Sequence, residues 1–155
     1  MTLGLKVDVR GIDAIRQEIS RIEARGHALE PAHRKIGALL ESRIERRFDT
    51  KVDPLGSRWA PHRQATIDRY KRQDGKGGRR GSLLQRSGMM RDSLSHAASS
   101  QGVTIGFGRP YALFHEYGTR RMIRRGILMA DPLAGTLAES DVDAVLTLLL
   151  NHFSR

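Results

Sequence analysis

The chain contains no cysteine, which excludes disulfide frameworks, cysteine-ligated zinc sites and thiol catalysis. A cysteine-free composition fits a protein made in a reducing compartment. Long apolar runs are missing too, because no stretch approaches the roughly 20 residues that a membrane-spanning helix needs. The first residues also lack the basic-then-apolar layout of a signal peptide. We therefore expect a protein that is made and works in soluble form, without a membrane partner.

Aromatic residues are scarce, with one Trp, three Tyr and four Phe among 155 residues. Four of these eight lie within residues 107–117, so a small core is expected around that segment. A chain of this length fits one domain and can bury a core without disulfides or metals. We therefore predict a single domain over residues 1–155.

Acidic residues are the minority, and the formal net charge is +10 with a pI near 11.0. The excess is central, since residues 58–125 carry 15 Lys and Arg against 4 Asp and Glu, and the rest of the chain carries 12 against 13. A localised positive patch indicates an anionic partner. Nucleic acid, a membrane surface and an acidic protein all fit that description.

Hydrophobic periodicity predicts an α+β protein with helices at both ends around a small, mostly antiparallel sheet. Residues 3–9 alternate as a strand does, and residues 12–22 have the spacing of an amphipathic helix. A second helix is predicted to begin at Pro31. Its apolar stripe is Ile36, Leu39, Leu40, Ile44 and Phe48. Its charged residues Arg43, Glu45, Arg46 and Arg47 are predicted to face solvent.

The central part alternates between short elements and polar segments. Residues 65–72 are predicted to form one or two helical turns, and residues 73–81 a long, mobile, basic loop rich in glycine. Residues 84–94 fit either a short helix or an extended segment. Residues 96–101 are expected to form a hairpin with the strand 103–107, whose apolar side chains alternate with Thr104 and Gly106.

A helix is predicted between Pro110, tolerated at a first helical position, and Gly118, a C-cap glycine. A short strand is expected at residues 127–129. The last helix is predicted to start with Ser140 as its N-cap. Its apolar stripe is Val142, Val145, Leu146, Leu149, Leu150 and Phe153.

The aromatic residues of the segment 107–117 have two interpretations. They are the packing centre of the domain, or the polar-tipped rings Tyr111, His115 and Tyr117 face a partner. Both interpretations stay open at the level of sequence.

The sequence does not satisfy the catalytic and nucleotide-binding motifs that it partly resembles. Lys76 is followed by glycine where a phosphate-binding loop has Ser or Thr, and Tyr111 occupies the third glycine position of a dinucleotide fingerprint. His115 and Glu116 lack the second histidine of a zincin helix, since Thr119 stands there. We therefore expect no catalysis, no cofactor, no metal and no small-molecule substrate.

Nucleic-acid binding is the main alternative from composition alone. Arginines lie beside Trp59, Tyr70 and Tyr117, where they can contact phosphates while the rings stack on bases. The sequence contains no helix-turn-helix, zinc-finger or RNA-binding sheet signature. Any contact with DNA is therefore expected to be independent of its sequence.

Several linked motifs resemble the phage virion morphogenesis family over residues 35–130. They are Phe48, then Asp53-Pro54-x-Gly56-x-x-Trp59, Thr66, Leu84-x-x-Ser87-Gly88-x-Met90-x-x-Ser93, Gly102-Val103-x-Ile105-Gly106 and Tyr111-Ala112-x-x-His115-x-x-Gly118. The chain departs from the family at residues 122–128, where Met-Ile-Arg-Arg-Gly-Ile-Leu replaces Ile-Pro-Ala-Arg-Pro-Phe-Leu and both prolines are missing.

The resemblance implies a non-catalytic structural protein of the virion neck or tail end, assembled in the host cytoplasm. Proteins of this family complete or terminate the tail and help to join it to the head. Such proteins generally work as rings, so copies of this chain are expected to form one, with a hexamer as the expected size. Further expected partners are the tail tube and the head-tail connector, with non-specific contact to DNA in the channel.

We expect the loop 73–81 and the arm 119–125 at subunit or lumen-facing contacts. The residues predicted to contact a partner are Trp59, Lys76, Arg79, Arg80, Tyr111, His115, Tyr117, Arg120, Arg121, Arg124 and Arg125.

Overall fold

The computed structural model describes residues 29–74 and 82–154, together with five helical residues that precede them. Those five are Gln17, Ser20, Arg21, Glu23 and Ala24. The described elements are α1 (Glu30–Thr50), α2 (Gln64–Asp74), a 3₁₀ turn (Arg91–Ser93), β1 (Leu94–Ala98), β2 (Val103–Phe107), α3 (Ala112–Tyr117) and α4 (Glu139–Phe153). The predicted α+β class, with terminal helices flanking an antiparallel sheet, is confirmed.

Helix α1 is the central element and matches its prediction closely. Pro31 lies in its first turn, and the stripe through Ile36, Leu40, Ile44 and Phe48 is buried. The prediction was wrong for Arg47, which is buried rather than solvated. One guanidinium nitrogen of Arg47 donates to the carbonyl of Ile127 at 2.6 Å, and another to the Asp141 carboxylate.

The hairpin β1–β2 pairs Leu94 with Phe107 and Ala98 with Val103. Its first strand starts two residues earlier than predicted, whereas the second has the predicted bounds. The sheet packs on α1, where Gly37 makes room for His96 of β1, because a Cβ at Gly37 would lie 2.2 Å from the imidazole.

The core is built around Phe48, which is fully buried. Its ring makes edge-to-face contacts with Trp59 at 5.7 Å and Phe107 at 6.0 Å between centroids. The other buried members of this cluster are Ile44, Leu84, Met90, Leu94, Ala112 and Ile127. The core therefore joins α1, the hairpin and the start of α3.

Helix α4 packs on α1 through Asp141, which is almost fully buried and paired with both Arg43 and Arg47. The prediction that Ser140 caps this helix was wrong, because the helix begins at Glu139, two residues earlier than that cap implies, and Ala138 is its N-cap. Ser140 instead accepts hydrogen bonds from Arg43 through its carbonyl and its hydroxyl, both at 3.2 Å.

Two further expectations differ from the structure. Residues 127–129 are not a strand, because their amides bind a side chain, described below. Residues 84–94 are neither one helix nor one extended segment, but turns and a bend that lead into the 3₁₀ turn. The helical turns expected at residues 65–72 are confirmed within α2, which continues through Asp74, so the loop prediction was wrong for Gln73 and Asp74.

Other sequence predictions fall outside the described residues. These are the strand at residues 3–9, most of the helix at 12–22, and residues 75–81 of the basic loop.

Candidate interaction surface

Helix α3 is short because its ends are fixed on both sides. Pro110 lies in the turn that precedes the helix rather than at its first position, and Tyr111 is the N-cap. Gly118 ends the helix at φ +74°, a conformation that favours glycine. A Cβ at Gly118 would also lie 3.1 Å from the backbone nitrogen of Arg124, so glycine permits a close return of the chain.

The two faces of α3 have opposite environments. Ala112 and Glu116 are buried, whereas Leu113, Phe114 and Tyr117, hereafter the aromatic face, are each between 47 % and 60 % exposed. Tyr111 is exposed beside them, and Phe107 packs partly against the core. The packing interpretation of the four clustered aromatic residues is therefore wrong for Tyr111, Phe114 and Tyr117.

Glu116 is the internal anchor of this region. Its carboxylate accepts hydrogen bonds from the backbone N–H groups of Ile127 at 2.7 Å, Leu128 at 2.9 Å and Met129 at 2.9 Å. Three successive amides on one carboxylate fix the backbone, and charge-assisted hydrogen bonds are stronger than neutral ones. This arrangement explains why residues 127–129 do not form a strand.

The arm 119–125, hereafter the basic arm, turns back onto α3 through a bridge between Thr119 and Met122. The C-terminal end of the arm is held by hydrogen bonds to other parts of the chain. Arg124 donates to the carbonyl of Glu116 at 2.8 Å and to that of Met129 at 2.7 Å. Arg125 is buried and donates to the carbonyls of Ala60 and Pro61 at 2.8 and 3.0 Å.

The tip of the basic arm is different. Arg120 and Arg121 are exposed, as is Ile123, which is 50 % accessible. The tip directly follows the aromatic face in the chain, and it rises from a base that Glu116, Arg124 and Arg125 hold in place. The region therefore presents exposed rings and positive charge on a fixed support.

His115 lies on the inner side of α3 close to His62 and Arg125. Burial and the nearby charge of Arg125 lower the pKa of both histidines below the usual value of 6.5, and His62 further lowers the pKa of His115. The Nδ1 atom of His115 is buried and has no hydrogen-bond partner within the part of the chain that the structure describes. Both imidazoles are therefore held in the neutral form near pH 7.

The predicted partner residues fall into three groups. Tyr111, Tyr117, Arg120 and Arg121 are all exposed and lie within α3 or close to its ends in the chain. Trp59, His115, Arg124 and Arg125 are wholly or partly buried, and the Trp59 indole N–H donates to the carbonyl of Gly126 at 2.9 Å. Lys76, Arg79 and Arg80 lie outside the described residues. Contact of any of them with a partner stays a prediction.

Sequence reasoning missed Leu113, Phe114 and Glu116 as members of this region. The signal for the first two was present, because Leu113, Phe114 and Tyr117 share one side of a helix at steps of one, three and four residues. No comparable signal exists for Glu116, whose partners are backbone amides of a distant segment.

Two other kinds of site are absent from the described residues. No group of three or more His, Asp or Glu side chains there is arranged to hold a metal ion. None of the helices in residues 29–74 and 82–154 combines the length and apolar character needed to cross a membrane.

Comparison with known proteins gave one match. A model of the phage virion morphogenesis family matches residues 11–149, which is most of the chain. Neither the curated proteins nor the solved structures gave a match.

Proposed function

The chain belongs to the phage virion morphogenesis family, as its motifs predicted, and we propose that it is a structural subunit of the neck or tail end. In this proposal it completes or terminates the tail and takes part in head-tail joining as one member of a ring. It works through shape and charge and transforms no substrate. Family membership supports the broad assignment to phage morphogenesis and to the virion.

The observation that carries the finer proposal is the surface formed by the aromatic face and the tip of the basic arm. Exposed aromatic side chains and arginines are the residue types most enriched at protein interfaces. Their support is rigid, since Gly118, Glu116 and Arg124 fix where the arm leaves and rejoins α3. A preorganised surface loses less conformational entropy on assembly than a mobile one does.

The experiment is a charge reversal in the phage. Arg120→Glu combined with Arg121→Glu should leave the fold intact, because both side chains are exposed, but should lower the yield of complete, infectious particles. Arg34→Glu combined with Lys35→Glu is the matched control, with the same charge change at two exposed positions of α1. Electron microscopy and plaque counts measure both variants.

The proposal also predicts that the chain is present in purified virions at the head-tail junction. Absence from virions, or normal maturation of particles that lack the chain, would end it. A hydrolytic activity that survives metal chelation and increases with protein purity would overturn the non-catalytic part.

Sequence-independent DNA binding is the second candidate. It is favoured by Tyr70, whose ring lies 4.1 Å from the Arg86 guanidinium carbon and 5.5 Å from that of Arg69. If DNA binds the tip of the basic arm as well, Arg120→Glu with Arg121→Glu should reduce the slope of log affinity against log salt by about 2. If the tip meets protein, that slope should stay unchanged while particle assembly fails.

A further inference from the structure

Helix α4 carries an exposed apolar strip on the side away from α1. Val142, Leu146 and Leu150 follow each other at four-residue steps and are between 40 % and 66 % exposed. Asp141 lies about 100° or more away around the helix and faces α1. The apolar stripe predicted for α4 is therefore only partly used within the described fold.

Two exposed carboxylates border this strip. Glu139 and Asp143 project within about 60° of Leu146 around the helix, so they share its face. Helix α4 contains three acidic residues and no lysine or arginine. We call Glu139, Val142, Asp143, Leu146 and Leu150 together the acidic face.

The aromatic face has the complementary character. Residues 109–125 contain five arginines and one glutamate, and Glu116 is buried among backbone amides. Arg120 and Arg121 are exposed and follow Tyr117, the last residue of the aromatic face, by three and four positions, whereas Glu139 and Asp143 share a helix face with the apolar strip of α4. Each surface thus has a strip of three large apolar residues, with positive charge on one and negative charge on the other.

We propose that the acidic face of one copy of this chain binds the aromatic face and basic tip of a second copy. Every subunit carries both surfaces, so the contact is heterologous and can repeat around a rotation axis until a ring closes. Apolar burial supplies the attraction, while the opposite charges set orientation and exclude like-with-like pairing. The inference rests on the proposed function in that it names the two faces that a ring requires.

Cysteine cross-linking tests the pairing cleanly, because the natural chain has no cysteine. Leu113→Cys and Leu146→Cys proteins are mixed at about 1 mM, where a contact with a Kd of that order is still substantially occupied. Oxidation should give the covalent heterodimer in about tenfold excess over a control mixture of Leu113→Cys with Glu45→Cys, which lies on the exposed side of α1. A chain with both Leu113→Cys and Leu146→Cys should form a ladder of trimers and larger species.

A charge exchange provides the second measurement. Glu139→Arg with Asp143→Arg should abolish the ladder, and so should Arg120→Glu with Arg121→Glu. All four changes in one chain should restore it, because the pairing is preserved with its polarity reversed.

Three results would overturn the inference. They are a heterodimer yield equal to the control, no restoration by the exchanged charges, and particles assembled from the chain with both Leu113→Cys and Leu146→Cys in which no disulfide joins two copies. The proposed function fails separately: virions without the chain would contradict it even where the cross-link forms. Virions that contain the chain while the cross-link is absent would contradict only the pairing of these two faces.

Discussion

Arg120 and Arg121 resemble Arg124 and Arg125 in sequence, yet the two pairs have opposite environments. The first pair is exposed at the tip of the basic arm. In the second pair, Arg125 is buried, and both side chains donate to backbone carbonyls of the chain itself. Of these four arginines within six residues, Arg124 and Arg125 therefore hold the arm in place, and Arg120 and Arg121 are exposed at its surface.

The second pair shows that backbone carbonyls, and not only carboxylates, can hold a guanidinium group in place. The five N–H donors of arginine allow one side chain to bridge several acceptors. Arg125 joins the segment after Trp59 to the end of the arm, and Arg124 joins α3 to residues 129 and 130. A basic segment is consequently not a measure of the positive charge available to a partner.

The largest change in the free energy of unfolding is expected from Glu116→Ala, which removes the anchor of the basic arm. The change leaves the N–H groups of residues 127–129 without their acceptor, and it removes the negative partner of Arg124, whose guanidinium lies 3.6 Å away. A buried donor left without its acceptor costs about 1–3 kcal/mol, so three such N–H groups should cost about 3 kcal/mol or more. The free energy of unfolding in urea should fall by that amount, and Glu45→Ala on the exposed side of α1 should change it little. An unfolding free energy within about 0.5 kcal/mol of the parent would show that Glu116 does not anchor the arm.

A smaller loss of stability is expected when one arginine of each pair is replaced, and it compares the two pairs directly. Arg125→Met removes the donors to the carbonyls of Ala60 and Pro61 in a part-buried setting and should lower the free energy of unfolding by about 1–3 kcal/mol. Arg121→Met makes the same chemical change at an exposed position, where the effect should stay within about 0.5 kcal/mol. Equal effects of the two substitutions in urea unfolding would erase the distinction between the pairs.

The sequence predicted the elements whose signal is local. The stripe of α1 recurs at helical spacing, and the strand 103–107 alternates in the way of a half-buried strand, so both were predicted with correct or nearly correct bounds. The motifs predicted the family for the same reason, because each is a short pattern in fixed order.

The candidate surface was predicted only in part, since its construction depends on contacts between distant segments. No periodicity shows that Arg47 will reach Asp141, 94 positions later, or that Glu116 will bind the amides of residues 127–129. The exposure of Leu113 and Phe114 was missed for a related reason. Their side of α3 is apolar, and the sequence does not say whether the chain itself or a partner covers it.

The smallest expected effect is a dependence of the free energy of unfolding on pH, to which Arg125 contributes. Burial and the charge of Arg125 lower the pKa of His62 and His115 in the folded protein, whereas both titrate near 6.5 when unfolded. At these two sites the unfolded state therefore binds more protons than the native state near and below about pH 6.5, so their contribution to the free energy of unfolding falls as pH decreases through that range. Urea unfolding between about pH 7.5 and 5.5, above the titration of most carboxylates, measures the slope.

Removing one cause of the shift should reduce that slope without abolishing it. Arg125→Met eliminates a positive charge that disfavours both imidazolium ions, but the larger cause, burial, remains. His62→Gln with His115→Gln should flatten the slope further, since neither group can then take up a proton, and Arg121→Met should leave the parent slope unchanged. If Arg121→Met reduced the slope as much as Arg125→Met does, the histidines would be responding to the net charge of the arm. The internal arginine would then have no special influence on them, and the contrast between the two pairs would hold for hydrogen bonding alone.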